Sequence, residues 1–393
     1  MTRKIALSGD AAAAYAMKQI EPDVVAAFPI TPQTEIVMTF SQYIADGEVD
    51  TLMIPVESEH SAMSACVGAS AAGARTMTAT SANGLALMWE ILYIASSSRL
   101  PIVMPVVNRA LSAPINIHCD HSDTMGARDA GWIQIYCENA REVYENVIMA
   151  VRIAEHPDIR MPVMVCQDGF ITSHTLEAVN TFDLETVGRF IGAHKPVNPL
   201  LDVDNPVTYG PLDLQDFYFE HKRQQSEAMV RALEKITDIF GEFENTFHQK
   251  YGFVEEYRLE DAQVAVIVLS STAGTAKVAV DRLRDQGIRA GVLKPRFMRP
   301  FPAGSICRAL EGIKAAGVMD RSDTFSTRGG PLYGEITSAL YEAGMHLPVA
   351  DYVFGLGGRE IDPQMIENIF HQLLHIMKTG VVEQHVNYSG VRE

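Results

Sequence analysis

The sequence predicts an α/β protein, and three observations carry that prediction. Short, nearly continuous apolar segments alternate with longer segments of helical spacing, which is typical of a parallel sheet covered by helices on both faces. The chain has 393 residues, 47% of them hydrophobic, which is more than one ordinary core needs. A polar, proline-rich stretch interrupts the alternation near the middle of the chain. We therefore expect two α/β domains joined by a linker.

The elements of the first domain, predicted over residues 1–175, follow from local composition. Its helical segments are rich in alanine and other small residues or show helical apolar spacing, and "TEIVMTFSQYIADG" ends on glycine. Its strand segments are short apolar runs such as "DVVAAF", "TLMIPV" and "LPIVMPVVN". In chain order we predict helix 9–20, strand 23–28, helix 34–47, strand 51–56, helix 58–74, strand 75–81, helix 84–98, strand 100–108, helix 140–156 and strand 161–167.

A connecting arm is predicted over residues 176–260. Its polar first part contains four prolines, which is typical of a loop. A charged helix is predicted over 213–247. The alternation returns over 261–393, which predicts a second, smaller α/β domain. That domain begins with strand 262–271, helix 273–287 and strand 289–296, and continues with segments 303–313, 315–321, 331–344 and 349–358.

Charge and cysteine content exclude several classes of protein. The formal net charge of −17 does not suit a nucleic-acid binder, because that affinity rests on lysine and arginine, and it would repel an acidic membrane surface. The longest apolar run is interrupted by Arg99, Pro101 and Pro105, so we expect no transmembrane helix, and the N-terminus lacks the apolar region of a signal peptide. The five cysteines form no C-x-x-C pair, which argues against a zinc or iron–sulfur framework and indicates a reducing cytoplasm.

Polar residues follow five of the strands predicted for the first domain. Ligands of open parallel sheets bind beyond the carboxyl ends of the strands, so these residues should converge on one edge and form a site. The segments concerned are 29–32, 57–60, 81–84, 108–109 and 167–169.

Glu59 lies in one of these segments, "PVESEHSAM". Ser58 is a plausible N-cap, which places Glu59 in the first turn of a helix, where the helix dipole favours its ionised form and apolar neighbours oppose it. By position alone, Glu59 and Glu57 could each be an ordinary acid at a helix start, and His60 could simply pack or cap.

Two further motifs invite other interpretations. "NIHCDHSD", residues 116–123, contains metal-ligand residue types, but they are too close in sequence for an easy tetrahedral site, and a polar loop folding over an active site is favoured. "GLGGRE", residues 355–360, could hold a phosphate after a strand, but it lacks the dinucleotide fingerprint and a tight turn is favoured.

Several long motifs, in order, carry a family resemblance. "FPITPQT", "VESEHSAMSACVGASAAGAR", "TATSANGLALMWEILYIAS", "LPIVMPVVNRALSAPINIHCDHSD", "PVMVCQDGFITSH" and "YGPLDLQDFYFEHKRQQ" resemble the α subunit of the 2-oxoacid:ferredoxin oxidoreductases, in particular those acting on pyruvate. The resemblance covers nearly the whole chain. It implies a thiamine-diphosphate pyrimidine-binding type of parallel-sheet domain, followed by a smaller domain like the transketolase C-terminal domain.

The resemblance also implies the reaction and its participants. Such enzymes oxidatively decarboxylate a 2-oxoacid with coenzyme A and reduce ferredoxin, or run the reverse synthesis, in anaerobic metabolism. Partner subunits of β, γ and δ type would hold the diphosphate end of thiamine diphosphate with its Mg²⁺ and the [4Fe-4S] clusters. The chain carries only incomplete Gly-Asp-Gly matches, "SGDAA" and "QDGFI", so it should be inactive alone and contribute half of an active site; no metal is expected on it.

The family motif assigns roles to individual residues. Glu59 would activate the aminopyrimidine of thiamine diphosphate by a hydrogen bond to N1′. Thr31 and Arg109 match positions that bind the substrate carboxylate, and Thr31 would also border the cofactor. The loop 110–123, with Ser112, Asp120 and His121, would lie over the substrate, with no specific role implied for Asp120 or His121. Glu57 and His60 remain unassigned.

Pyruvate is the expected substrate, since Thr31 and Ser112 are small and neutral and oxalate would call for more positive charge. A branched-chain 2-oxoacid or 2-oxoglutarate remains an alternative. The competing functions are a non-catalytic scaffold subunit, which the retention of Glu59, Thr31 and Arg109 disfavours, and a self-sufficient transketolase-like enzyme, which the missing diphosphate motif disfavours.

Overall fold

Two sheets organise the chain in a computed structural model, which describes residues 3–392. The strands are β1 (Arg3–Leu7), β2 (Val24–Ala27), β3 (Leu52–Pro55), β4 (Thr76–Met77), β5 (Val103–Asn108), β6 (Ile133–Tyr136), β7 (Val163–Asp168), β8 (Glu177–Thr181), β9 (Val254–Tyr257), β10 (Val264–Val268), β11 (Ala290–Pro295), β12 (Phe297–Arg299), β13 (Ala315–Asp320), β14 (Val349–Phe354) and β15 (Val386–Ser389).

Helices cover both sheets. They are α1 (Gly9–Ile20), α2 (Thr34–Ala45), α3 (Glu59–Ala72), α4 (Ala82–Leu87), α5 (Trp89–Ser97), α6 (Ser122–Gly126), α7 (Ala140–Ala154), α8 (Leu184–Ile191), α9 (Tyr218–Phe247), α10 (Thr272–Asp285), α11 (Ala303–Ala309), α12 (Pro331–Glu342) and α13 (Pro363–Thr379). None of these helices is long and apolar enough to cross a lipid bilayer.

The first sheet has the strand order β12-β6-β7-β5-β4-β2-β3 and is parallel except at β12, which pairs antiparallel with β6. Its central strands are buried on both faces, whereas the edge strand β3 is partly exposed. In β5, for example, Val103 and Val107 pack in the core that contains α1 and α7, whereas Met104 and Val106 pack in the core that contains α3 and α5. This two-sided burial explains why the strands read as continuous apolar runs.

The second sheet has the order β15-β14-β13-β10-β11-β9, parallel except at β9. One of its faces shares a core with α3 and α5 of the first sheet, since Ile267 and Val318 belong to the same cluster as Met63 and Leu92. The other face packs under α10 and α13. A small antiparallel pair, β1 and β8, lies outside both sheets.

The segment between the sheets lies on the first one. Leu200 N donates to Ala71 O at 2.8 Å, so the proline-rich stretch is fastened to the end of α3. The apolar side of α9, which includes Ile236 and Phe243, is buried in the core that contains α1 and α7. The division into 1–175, 176–260 and 261–393 stays a prediction.

The predicted α/β class is confirmed, and the local differences have identifiable reasons. The predicted helix 84–98 is two helices that separate at Met88, and the long charged helix begins at Tyr218 rather than at 213. The prediction omitted helices α6, α8 and α13 and strands β1, β6, β8, β9, β12 and β15. The omitted strands are short, and their pairing partners lie far away in sequence, so local spacing does not reveal them.

Candidate functional site

Glu59 is the first residue of α3, directly after β3. Its helix begins there because the Ser58 hydroxyl caps it, accepting a hydrogen bond from Ser61 N at 3.2 Å. The Glu59 side chain is only 6% exposed. Within residues 3–392, no group donates a hydrogen bond to its carboxylate. A nearly buried carboxylate of this kind is available to a donor that a ligand brings.

The start of α4 lies beside the Glu59 carboxylate. A Cβ atom built on Gly84 would lie 2.7 Å from Glu59 Oε1 and 2.5 Å from Thr80 Oγ1. Only glycine therefore lets the backbone approach Glu59 at this point. The Thr80 hydroxyl is buried and has no hydrogen-bond partner among the described residues. The Glu59 carboxylate and the unpartnered Thr80 hydroxyl are therefore two polar groups at this point that a ligand could bind.

Arg109 directly follows β5, and the structure brings it to Thr31, which follows β2. Arg109 Nη1 donates to Thr31 O at 2.8 Å, and Nε donates to Asn116 O at 3.0 Å. Arg109 is 7% exposed, yet no carboxylate in the described part of the chain forms an ion pair with it. A guanidinium withdrawn from water without a counter-ion is well suited to an anionic ligand.

Asp123 joins the end of β5 to the start of α4. Its carboxylate accepts hydrogen bonds from Asn108 Nδ2 at 2.8 Å, Arg109 N at 3.0 Å and Ala82 N at 3.0 Å. Burial raises the pKa of Asp123 to about 6, although these three donors act in the opposite direction. The sequence placed Asp123 only in the motif 116–123 and gave it no role, because only the fold shows that its side chain reaches both the end of β5 and the start of α4.

Three consecutive residues of α4 therefore connect the parts of the site. Ala82 is held by Asp123, Asn83 Oδ1 lies 3.3 Å from both N and Oγ of Ser112, and Gly84 contacts Glu59. Glu59, Arg109, Thr31 and Ser112 thus gather around one edge of the first sheet. The side chains of Glu57, Thr31 and Ser112 are exposed there, and His60 is half-buried.

The hydrogen bonds of Asp120 and His121 are to residues other than Glu59, and His121 N donates to Arg321 O, after β13 of the second sheet, at 2.8 Å. Asp120 accepts hydrogen bonds from Ser122 Oγ at 2.6 Å and from Gly357 N at 3.1 Å. His121 Nε2 lies 2.7 Å from Asp168 Oδ1, at the end of β7. The loop thus runs from the end of β5 in the first sheet to residues that follow strands of the second sheet.

Asp168 adds a further contact between residues that follow strands of the two sheets. Its Oδ2 accepts from Arg321 Nη1 at 3.0 Å and from the Ser271 hydroxyl. Burial alone would raise the pKa of Asp168, but His121 and Arg321 hold it well below its ordinary value. Cys119, His121 and Asp168 come close enough to suggest a metal site, but the Arg321 guanidinium already supplies the positive charge.

The whole chain matches proteins of one group. Residues 15–240 match the family described as "Pyruvate flavodoxin/ferredoxin oxidoreductase, thiamine diP-bdg", and residues 262–366 match "Pyruvate:ferredoxin oxidoreductase core domain II". The pyruvate synthase subunit PorA of Thermotoga maritima is 55% identical over 393 residues, which cover 100% of this chain and 99% of the relative. The ketoisovalerate oxidoreductase subunit VorA of Pyrococcus horikoshii is 41% identical over 390 residues, covering 99% and 98% of the two chains.

A solved structure has the same fold. The 2-oxoglutarate:ferredoxin oxidoreductase of Magnetococcus marinus, solved with 2-oxoglutarate, coenzyme A and succinyl-CoA bound, superposes with a TM-score of 0.74 at 20% identity. The likeness covers 94% of this chain and 65% of that chain. The resemblance inferred from the sequence motifs is confirmed, and the chain belongs to the pyruvate:ferredoxin oxidoreductase family.

Proposed function

We propose that the chain is the α-type subunit of a multi-subunit pyruvate:ferredoxin oxidoreductase and supplies the pyrimidine-side half of its thiamine diphosphate site. The enzyme would convert pyruvate, coenzyme A and oxidised ferredoxin to acetyl-CoA, carbon dioxide and reduced ferredoxin, or run the reverse synthesis. One observation carries the proposal. Two nearly buried groups of opposite charge, Glu59 and Arg109, are joined through residues 82–84 yet form no ion pair with each other or with any other described residue.

Glu59 suits the aminopyrimidine of the cofactor, and Arg109 suits the carboxylate of the 2-oxoacid. When bound, thiamine diphosphate supplies the nucleophilic thiazolium carbon for 2-oxoacid decarboxylation. Glu59 would hold a proton at N1′ of the aminopyrimidine, and Gly84, which lacks a Cβ, would let the carboxylate keep its position. Arg109 would bind the carboxylate of the 2-oxoacid, because its Nη2 amine makes no bond within residues 3–392 and remains available. Thr31 and Ser112 would border the small methyl end of pyruvate.

Partner subunits would complete the site. Large apolar side chains near it are exposed, among them Leu87 at 49%, Trp89 at 41% and Ile115 at 79%, which favours cover by another chain. We propose β-, γ- and δ-type partners that hold the diphosphate end with Mg²⁺ and the [4Fe-4S] clusters, and ferredoxin as the electron acceptor. The five cysteines are all free, which supports a cytoplasmic location.

A 2-oxoacid panel on the purified complex tests the proposal. We expect a brown multi-subunit complex that reduces a viologen or ferredoxin with pyruvate and coenzyme A, with the highest kcat/KM for pyruvate. The relatives include a ketoisovalerate oxidoreductase subunit, so a higher kcat/KM for branched-chain 2-oxoacids would reject pyruvate but keep the reaction class. A colourless homodimer that is active with thiamine diphosphate alone would reject the subunit role.

A further inference from the structure

A glycine turn of the second domain is hydrogen-bonded to the loop that follows Arg109. The turn comprises residues 355–358, after β14, and the loop comprises residues 110–121. Gly357 N donates to Asp120 Oδ2 at 3.1 Å, Asn116 Nδ2 donates to Gly357 O at 3.0 Å, and Gly358 N donates to Cys119 O at 2.7 Å. Both polar groups of the Gly357 backbone are therefore hydrogen-bonded to the loop.

The turn is shaped for this close approach. Gly357 has φ +59° and Gly358 has φ +79°, in the left-handed region that favours glycine. A Cβ atom on Gly357 would lie 2.5 Å from Asn116 Nδ2, and one on Gly358 would lie 2.4 Å from His118 Cβ. Any side chain at these two positions would push the loop away.

This loop is in turn hydrogen-bonded to the Arg109 side chain. The Asn116 carbonyl accepts from Arg109 Nε, and the loop closes on itself where Ala110 N donates to His118 O at 3.0 Å. Asn116 thus contacts the second domain through its side chain and Arg109 through its backbone. On its other side the guanidinium is held by Thr31 O.

We infer that the glycine turn 355–358 positions Arg109 for the 2-oxoacid, with Asn116 as the link. Asn116 is a positioning residue, since it acts through Arg109 and is not expected to touch the substrate. The inference rests on the proposed function, in which Arg109 binds the substrate carboxylate. It gives the second domain a part in substrate affinity, although Glu59, Thr31 and Arg109 all lie on the first.

Asn116→Ala and Gly357→Ala, each in the assembled complex, test the link. Each removes the Asn116–Gly357 bond, so the KM for the 2-oxoacid should rise about three- to tenfold, the range of one hydrogen bond. The kcat and the KM for coenzyme A should change less than about twofold, because binding of one substrate is what weakens. The rise in this KM should be less than additive in the double variant, since both substitutions break the Asn116–Gly357 contact. Amide hydrogen exchange in residues 110–121 should be faster in both variants.

Gly344→Ala is the matched control, because Gly344 also lies in a turn of the second domain with φ +66° but has open space where a Cβ would go. It should carry a similar backbone penalty and leave the KM for the 2-oxoacid unchanged. Arg109→Ala separates the two proposals. If it raises that KM while Asn116→Ala and Gly357→Ala leave it unchanged, the positioning inference is overturned and the substrate site stands. If Arg109→Ala itself has no effect, the substrate site and the inference both fail.

Discussion

At the scale of single residues, burial separates two carboxylates of one motif. Glu57 is exposed, and the Ser61 hydroxyl donates to it, which lowers the pKa of Glu57. Glu59, two residues later, is nearly buried and faces the backbone at Gly84. A proton shared with a ligand needs an environment with little water, so Glu59 is the better candidate of the two.

Glu59→Gln should leave assembly and cofactor binding intact and reduce turnover about 10²- to 10⁴-fold, because an amide cannot share a proton as a carboxylate does. Glu57→Gln is the comparison, with near-normal turnover expected. The measurements are kcat of the complex and hydrogen–deuterium exchange at thiamine C2 followed by NMR. Normal exchange in Glu59→Gln would show that Glu59 does not activate the cofactor.

At the scale of elements, the start of α4 decides how the site fits together. Its first three residues contact Asp123, Ser112 and Glu59 in turn, and α4 separates from α5 four residues later, at Met88. The short helix is therefore a spacer whose glycine sets the distance between backbone and carboxylate.

Gly84→Ala should displace the Glu59 carboxylate, since the new Cβ would lie 2.7 Å from Oε1, and turnover should fall at least tenfold. Gly241→Ala in α9 is the control, because no atom lies within 4 Å of the position that its Cβ would occupy and alanine favours a helix by about 1 kcal/mol. We expect unchanged activity and a slightly higher unfolding temperature for the control. Equal activity of the two variants would refute the spacer role.

At the scale of the whole molecule, a buried charge cluster joins the two sheets. Lys294 of β11 lies 2.6 Å from Glu138 and 2.8 Å from Glu142, and Arg296 lies 3.0 Å from Glu142. Burial alone would raise the pKa of Glu142, but the neighbouring Lys294 and Arg296 lower it from 4.5 to about 2. The ionised form of Glu142 is therefore favoured by folding.

The sign of this pKa shift predicts acid sensitivity. Unfolded Glu titrates near pH 4.3, so the stabilisation from Glu142 should be complete above about pH 5 and lost as the pH falls toward about 2. Glu142→Gln should lower stability at pH 7 by about 2–3 kcal/mol, because it weakens a buried ionic contact, and should make the loss below pH 5 less steep. Urea-unfolding midpoints across this pH range measure both effects. Glu244→Gln, on the exposed side of α9, should match the parent chain.

The local sequence predicted the alternating strands and helices well, but it predicted the pairing of the strands poorly. Apolar runs such as Val103–Asn108 identified central strands, because strands buried on both faces have to be apolar along their whole length. Short edge strands such as Phe297–Arg299 escaped prediction, since their pairing depends on a partner about 160 residues away in sequence. The candidate site was likewise predicted only in part from the local sequence. Strand ends and motifs pointed to the stretches that contain Glu59, Thr31 and Arg109. They also included Gly84, Asp123 and Gly357, but the local sequence assigned no role to these three residues.

The sequence by itself determined the α/β class, the family and the edge of the sheet where the candidate ligand groups lie, because periodicity and contiguous motifs are local properties. Only the tertiary structure decided which groups touch. It placed Asp120 against Gly357 and the backbone of His121 against Arg321, left Glu59 and Arg109 without counter-ions among the described residues, and brought the glycine turn onto Asn116. Such contacts join residues up to 241 positions apart, and side-chain burial and hydrogen bonding at that separation depend on how the chain packs.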